Sequence, residues 1–129
     1  MILVDTSVWV AVFRKKDGFR LEDSISFDDI VTCLPVIQEV LQGFREERAY
    51  RAARAAMLAL PIIESPMVET LFLEAASLYR SARRRGLTVR SSVDCLIAAC
   101  ALRHDISVLQ DDRDYELISE IAPLKVQSI

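Results

Sequence analysis

The chain alternates short, continuous apolar runs with longer segments in which apolar residues recur at helical spacing. The short runs are rich in β-branched residues and bounded by polar ones, which is typical of buried strands in a parallel sheet. They predict strands over residues 2–4, 29–34, 61–65, 106–110 and 124–129. The alternation predicts one α/β domain over residues 1–129, with a mainly parallel sheet of four or five strands and helices on both faces.

The segments between these runs predict the helices. Their apolar stripes and end signals place helices over residues 6–13, 35–44, 48–60, 68–86, 93–105 and 115–121. Pro35 suits the first residue of a helix and Gly86 suits a helix end. The first helix is expected to end near residues 14–18, and the polar segment 17–29 predicts a loop or a weak helix.

The chain has 129 residues, of which 52% are hydrophobic. This composition predicts a soluble, globular protein. No apolar run approaches the roughly 20 residues of a membrane span. The N-terminus lacks a basic lead-in and Asp5 interrupts its apolar stretch, so a signal peptide is not expected. We therefore expect a cytoplasmic location without membrane association.

The cysteine and histidine content narrows the chemistry. Cys33, Cys95 and Cys100 are odd in number and lack paired C-x-x-C spacing, which argues against a disulfide scaffold and a zinc site. We expect them to be small buried hydrophobic residues. His104 is the only histidine, which nearly excludes Ser-His-Asp, Cys-His and His-rich zinc mechanisms. An enzyme with this inventory works with carboxylates, hydroxyls, arginines or a metal.

The net charge of −3 does not indicate a nucleic-acid-binding protein, but the basic residues are clustered and most of them are arginine. The two clusters comprise Arg45, Arg48, Arg51 and Arg54, and then Arg80, Arg83, Arg84, Arg85 and Arg90. Arginine suits bidentate contacts with phosphate. Solvated helix faces, with Glu46 and Glu47 as partners, explain the clusters equally well.

Acidic residues fall at element ends and beside apolar stripes. Asp5 follows the first predicted strand and the 110–114 segment "QDDRD" follows the fourth, and for either group taken alone a helix N-cap is the better explanation. Asp94 lies in the first turn of an apolar helix, where a reciprocal capping pair with Ser91 explains it. Glu39 lies beside an apolar stripe, as an exposed helical glutamate often does.

Each acidic position is ordinary alone, but all four lie where segments of a parallel sheet converge. Carboxylates brought together repel one another and raise each other's pKa unless a cation is present. Mg²⁺ takes oxygen ligands, polarises phosphoryl oxygens and generates hydroxide near neutral pH. With a single histidine in the chain, metal-assisted phosphodiester hydrolysis is the chemistry that this set favours.

Three segments carry a family resemblance, namely "ILVDTSVWV", "LPVIQEVLQGF" and "SVDCLIAACALRHDISVLQDDRDYELI". Together they resemble the PIN-domain ribonucleases, and most closely the VapC-type toxins of bacterial VapBC toxin–antitoxin pairs. The resemblance spans almost the whole chain. It implies a three-layer α/β/α fold of the PIN type, which is Rossmann-like.

The resemblance also implies an activity. Asp5, Glu39, Asp94 and Asp112 would be the catalytic metal ligands, with Asp114 as a nearby helper. The implied reaction is Mg²⁺- or Mn²⁺-dependent endonucleolytic cleavage of RNA that leaves a 5′-phosphate and a 3′-hydroxyl. A homodimer is implied, as is inhibition by a VapB-type antitoxin whose C-terminal segment enters the acidic groove.

Supporting roles follow from the same assignment. The hydroxyls of Thr6 or Ser7, and of Ser91 or Ser92, would hydrogen-bond the carboxylates, and helix capping is an equally good role for them. The arginines that would guide the RNA backbone are Arg45, Arg48, Arg83, Arg84 and Arg90.

The sequence departs from the family pattern after the fourth strand. Gln110 and Asp111 stand where a hydroxyl and a variable residue are common, so Asp111, Asp112 and Asp114 all remain candidates for the fourth ligand. The alternative function is a catalytically inactive PIN-like module that binds RNA or a protein. The intact set of acids argues against it, because a pure phosphate-binding site would not favour clustered negative charge.

Overall fold

The computed structural model describes residues 1–15 and 18–129, which contain five strands and six α-helices. The strands are β1 (Ile2–Val4), β2 (Ile30–Cys33), β3 (Ile62–Ile63), β4 (Ser107–Gln110) and β5 (Val126–Ser128). The helices are α1 (Thr6–Phe13), α2 (Leu34–Gln42), α3 (Glu47–Leu58), α4 (Glu69–Arg84), α5 (Ser92–His104) and α6 (Arg113–Ser119). The predicted α/β fold is confirmed.

The strands form one sheet in the order β3-β2-β1-β4-β5, and every neighbouring pair is parallel. The central strand β1 is buried along its length, and Leu3 and Val4 have no exposed surface. Its register aligns Ile2 with Ile30 on one side, and Val4 with Leu109 on the other. A continuous apolar run therefore becomes the middle of the sheet, as the pattern predicted.

The strand order reverses direction at β1. From β1 the chain moves outward through β2 to β3, then returns to the other side of β1 for β4 and continues outward to β5. Because such crossovers are right-handed, this reversal places helices on opposite faces of the sheet. It also opens a crevice at the carboxyl ends of β1 and β4, the place where open α/β sheets bind ligands.

Several helix ends differ by one or two residues from the sequence predictions. Helix α3 begins at Glu47, because the Glu46 carboxylate accepts from the N–H groups of Arg48 and Ala49, both at 2.8 Å. Helix α2 begins one residue before Pro35 and ends at Gln42, so Phe44 lies beyond it. Phe44 still packs edge-on against the Phe13 ring, at 5.4 Å between centroids.

Gly86 closes helix α4 as predicted, although the last helical residue is Arg84, two residues earlier. Gly86 has a positive φ of 76°, and the backbone N–H of Leu87 donates to the carbonyl of Ala82 at 2.9 Å. The N–H of Gly86 donates to the carbonyl of Arg83 at 2.9 Å, which completes a Schellman motif.

Within residues 19–29 the polar segment forms two short 3₁₀ turns, Leu21–Asp23 and Phe27–Asp29, and the Leu21 side chain is buried in the core. Residues 16 and 17, where the first helix and this loop were predicted to meet, lie outside the described residues. The three cysteines are buried and unpaired, as expected from their spacing. Within the described ranges, no helix combines the length and apolarity needed to span a membrane.

Candidate metal centre

Asp5 stands at the carboxyl end of the central strand. Its backbone N–H donates to the carbonyl of Leu109 at 2.9 Å, which extends the β1–β4 ladder by one residue. Its Oδ2 accepts from the N–H of Ser7 at 2.9 Å and from Ser7 Oγ at 2.6 Å, so Asp5 also caps α1. The carboxylate is only 2% exposed. The cap therefore fixes a buried charge at the edge of the crevice.

Asp94 lies in the first turn of α5 and is 4% exposed. The expected capping pair with Ser91 is not formed, because the Ser91 side chain makes no cap hydrogen bond. Among the described residues, Asp94 Oδ2 has no hydrogen-bond partner, although it is buried. A buried, unpartnered carboxylate oxygen is costly unless it meets a proton or a cation.

The turn between β4 and α6 brings two more carboxylates to Asp94. Asp112 caps α6 by accepting from the N–H of Asp114 at 2.9 Å. Asp114 accepts from the N–H groups of Arg90 and Ser91, at 3.1 and 3.0 Å to its Oδ2, which ties α6 to the segment before α5. One oxygen from each of Asp94, Asp112 and Asp114 lies within 4.8 Å of the others.

Glu39 reaches the site from α2 and is half-buried. The Thr6 hydroxyl donates to its Oε1 at 2.8 Å, across an interval of 33 residues. Burial raises the pKa of Glu39, the Thr6 hydrogen bond opposes that change, and the charges of Asp5 and Asp112 reinforce it. Glu39 is therefore close enough to sense the other acids, but it lies outside the tight cluster of three.

The electrostatics of the cluster depend on what balances its charge. The pKa of Asp94 is raised to about 9. Burial is the largest cause, and contact with Asp114 and the charges of Asp5 and Asp112 raise the pKa further. Without a cation, the cluster therefore retains a proton at neutral pH. A hard divalent cation removes the same repulsion and leaves all the carboxylates ionised.

These residues fit a divalent metal ion. The three clustered side chains offer carboxylate oxygens alone, which is the donor set that Mg²⁺ and Mn²⁺ prefer. Asp94, one of the three, also carries a buried oxygen, Oδ2, that has no hydrogen-bond partner in the part of the chain that the structure describes. Of the candidates left open after β4, Asp112 and Asp114 join the cluster, while the Asp111 side chain is exposed.

Of the four hydroxyl residues predicted to support the site, two bond a site carboxylate through the hydroxyl and two do not. Thr6 holds Glu39, and Ser7 Oγ both donates to Asp5 and accepts from the N–H of Asp111 at 2.9 Å. Ser91 contacts Asp114 through its backbone rather than its hydroxyl. Ser92 lines a separate apolar cavity between α4 and α5.

The predicted arginines are spread over the surface. Arg90 lines a cavity of about 370 Å³ together with Asp112 and Asp114, and Arg113 lines it as well. Arg45 lines an apolar groove that also reaches Glu39. The remaining predicted arginines lie on helices, with Arg48 on α3 and both Arg83 and Arg84 on α4, where Arg83 stacks over Tyr79.

Sequence reasoning missed two buried polar residues that organise the site. Tyr115 has no exposed surface, and its hydroxyl contacts both Asp5 and Asp94. Gln110 is 2% exposed; its Oε1 accepts from the N–H of Asp112 at 2.6 Å and its Nε2 donates to Ser128 Oγ at 3.1 Å. Gln110 could have been singled out in the sequence, because it is a polar residue at the end of an apolar strand, as Asp5 is.

The protein has a parallel sheet, and its clustered carboxylates lie where the strand order reverses. It is therefore an α/β protein with a candidate divalent-metal site. The chain belongs to the PIN-domain family, whose sequence profile matches residues 2–121. Over 133 aligned positions it is 35% identical to VapC ribonuclease Mb1587 of Mycobacterium bovis and, equally, to ribonuclease VapC11 of Mycobacterium tuberculosis. Each alignment covers 99% of this chain and 98% of the relative. The resemblance inferred from the motifs is confirmed.

Solved structures share the fold. The VapBC2 complex of Rickettsia felis, crystallised with a promoter DNA fragment, aligns over 100% of this chain and 99% of its own with a TM-score of 0.78 and 17% identity. VapC20 of Mycobacterium tuberculosis, described as a toxin that cleaves the sarcin-ricin loop, aligns over 97% and 99% with a TM-score of 0.72 and 22% identity.

Proposed function

We propose that this protein is a Mg²⁺-dependent endoribonuclease and the toxin of a VapBC-type pair, with Mn²⁺ as a substitute metal. The observation that carries the proposal is the convergence of Asp94, Asp112 and Asp114, which bring one oxygen each within 4.8 Å of one another. Asp94 also has a buried oxygen without a hydrogen-bond partner among residues 1–15 and 18–129. The 35% identity to VapC ribonucleases over nearly the whole chain supports the same activity.

In this proposal the catalytic acids are Asp5, Glu39, Asp94 and Asp112, with Asp114 as a further candidate ligand. A bound Mg²⁺ would supply Lewis-acid polarisation of the phosphoryl oxygen and a water of lowered pKa. Thr6 keeps the Glu39 carboxylate turned towards the site. Ser7 keeps Asp5 and the turn at Asp111 in register.

Basic residues at the mouth offset the negative charge that an RNA backbone meets there. Arg90 and Arg113 line the same cavity as Asp112 and Asp114. Their guanidinium groups suit phosphate oxygens beside the cleaved bond. The acidic cluster alone would repel the substrate, so both charge types are needed for binding and cleavage.

The direct test replaces single carboxylates by amides and uses a neighbouring acid as the control. Asp5→Asn is expected to reduce Mg²⁺-dependent RNA cleavage at least ~100-fold, because the loss of one charge-stabilising group at such a site costs about that much. Asp111→Asn, at an exposed side chain one residue from Asp112, should cleave like the unchanged protein. Cleavage is measured by gel analysis of RNA ends, and retained cleavage by Asp5→Asn contradicts the assignment.

The alternative, a PIN-like module that binds RNA or protein without cleaving, predicts a different response to metal. A catalytic site binds Mg²⁺ only in the folded state and so raises the melting temperature by mass action. Thermal unfolding in EDTA and in millimolar Mg²⁺ separates the two. No shift at millimolar Mg²⁺ favours the binding module.

A VapB-type antitoxin and a second copy of this chain are the proposed partners. An apolar groove of about 370 Å³, lined by residues including Val10, Phe13, Val40 and Phe44, reaches Glu39 and suits an apolar antitoxin segment that ends at the acids. Co-expression with the product of an adjacent small reading frame should yield a co-purifying, inactive complex. Sedimentation velocity of the isolated chain tests for the homodimer.

A further inference from the structure

Tyr115 joins two carboxylates that reach the site from different elements. It lies on α6, and its hydroxyl donates to Asp5 Oδ1 at 2.5 Å and contacts Asp94 Oδ1 at 3.2 Å. Asp5 follows β1 and Asp94 lies on α5, so one side chain connects three separate parts of the fold. The ring has no exposed surface and is the largest side chain among the fully buried residues.

The hydrogen bonds show which carboxylate oxygens already accept from a donor. Asp5 Oδ2 accepts from the N–H and the hydroxyl of Ser7, and Asp5 Oδ1 accepts from Tyr115. Asp94 Oδ1 faces Tyr115, whereas Asp94 Oδ2 has no hydrogen-bond partner among the residues that the structure describes. The contact with the phenol therefore distinguishes the two oxygens of Asp94.

We propose that Tyr115 is a positioning residue, whose hydroxyl fixes the spacing of Asp5 and Asp94 and presents Asp94 Oδ2 to a divalent cation. The proposal rests on the proposed metal-dependent function. Groups that hydrogen-bond metal ligands orient them, and their loss typically weakens metal binding by about 10- to 100-fold. Tyr115 acts through the carboxylates and does not itself contact RNA in this proposal.

The geometry predicts that one substitution at Tyr115 can weaken metal binding without disturbing the packing of the ring. Phenylalanine keeps the ring, so Tyr115→Phe retains the contacts that α6 makes with the core. It removes the hydroxyl, so Asp5 and Asp94 lose their shared partner and gain rotational freedom. The metal affinity should therefore fall without a matching loss of the fold.

The experiment measures Mn²⁺ binding in the absence of RNA, by calorimetry and by electron paramagnetic resonance. Tyr115→Phe is expected to bind Mn²⁺ about 10- to 100-fold more weakly, while its melting temperature in EDTA stays near that of the unchanged protein. Tyr50→Phe, a half-buried tyrosine on α3, is the matched control and should bind normally. Unchanged Mn²⁺ affinity in Tyr115→Phe overturns the proposal.

A double-mutant cycle tests whether Tyr115 acts through Asp94. If it does, Tyr115→Phe should weaken Mn²⁺ binding less in an Asp94→Asn background than in the unchanged protein, because the contact is already altered. Full additivity contradicts action through Asp94. Failure of the unchanged protein to bind Mn²⁺ would instead overturn the proposed function, so the two failures are distinguishable.

Discussion

At the scale of single residues, Asp94 combines an acidic side chain with a buried position. It is buried in an apolar helix, close to two other carboxylates, and one of its oxygens has no hydrogen-bond partner within the described ranges. Such a residue lowers the stability of the metal-free fold, and a bound cation offsets that cost. Selection for a site of this kind therefore favours ligand geometry over stability at this position.

Asp94→Asn should stabilise the metal-free protein, increasingly so at higher pH. The pKa of Asp94 is raised from 3.8 to about 9, so between these values the folded form holds a proton that the unfolded chain has released. The free energy of unfolding then falls as pH rises, by at most about 1.4 kcal/mol per pH unit from this group. Asparagine does not titrate, so the variant's curve should be flatter.

Urea unfolding in EDTA at pH 5, 6, 7 and 8 measures this difference. Asp28→Asn, at an exposed side chain in a 3₁₀ turn, serves as the control and should follow the unchanged protein. Parallel pH curves for Asp94→Asn and the unchanged protein would contradict the burial argument.

At the scale of elements, the joint between β4 and α6 determines where Asp112 stands. Gln110 ends the strand, accepts from the N–H of Asp112 and donates to Ser128 on β5. Ser7 accepts from the N–H of Asp111, so side chains hold both consecutive N–H groups of the turn. The turn is therefore fixed from the sheet side and from α1.

Gln110→Ala is expected to destabilise the protein by about 1–3 kcal/mol, because a hydrogen-bonded N–H loses its partner. It should also weaken Mg²⁺ binding, because the turn that carries Asp112 is less constrained. Gln127→Ala, at an exposed position on β5, is the control and should change stability by less than about 0.5 kcal/mol. Chemical denaturation and metal titration measure the two effects, and a Gln110→Ala protein as stable as the control would refute this role.

The secondary-structure elements also show which features of the structure can be predicted from the sequence. The strand β1 and the helix end at Gly86 are predictable, because apolar runs and glycine signals act locally. The predicted start of α6 at residue 115 lies two residues after the observed start at Arg113, because the 110–114 segment offers several capping carboxylates and only the structure shows that Asp112 accepts from the Asp114 N–H. The contact of Tyr115 with Asp5 spans 110 residues, and no local pattern encodes a hydrogen bond of that range.

At the scale of the whole molecule, a net charge of −3 hides a division of charge. The acids gather in the crevice, while Arg90 and Arg113 border it. The proposed binding of RNA should therefore weaken as the salt concentration rises, because each phosphate contact releases counterions. The overall charge alone would have suggested a protein that avoids nucleic acid.

Replacing both rim residues, as Arg90→Gln with Arg113→Gln, should weaken single-stranded RNA binding and flatten its salt dependence. Each lost phosphate contact lowers the slope of log affinity against log salt by about 0.7. Binding is measured by fluorescence anisotropy in an Asp5→Asn background, which prevents cleavage. Arg51→Gln, on α3 and paired with Glu47, is the control, and equal slopes for the two proteins would exclude rim contacts.

The contact between Asp5 and Tyr115 has a consequence for synthesis of the chain. Asp5 is synthesised before its partner on α6, which is added 110 residues later. Until then the first carboxylate has neither Tyr115 nor the acids of α5 and the following turn beside it. The candidate metal centre therefore assembles only after α6 has been synthesised.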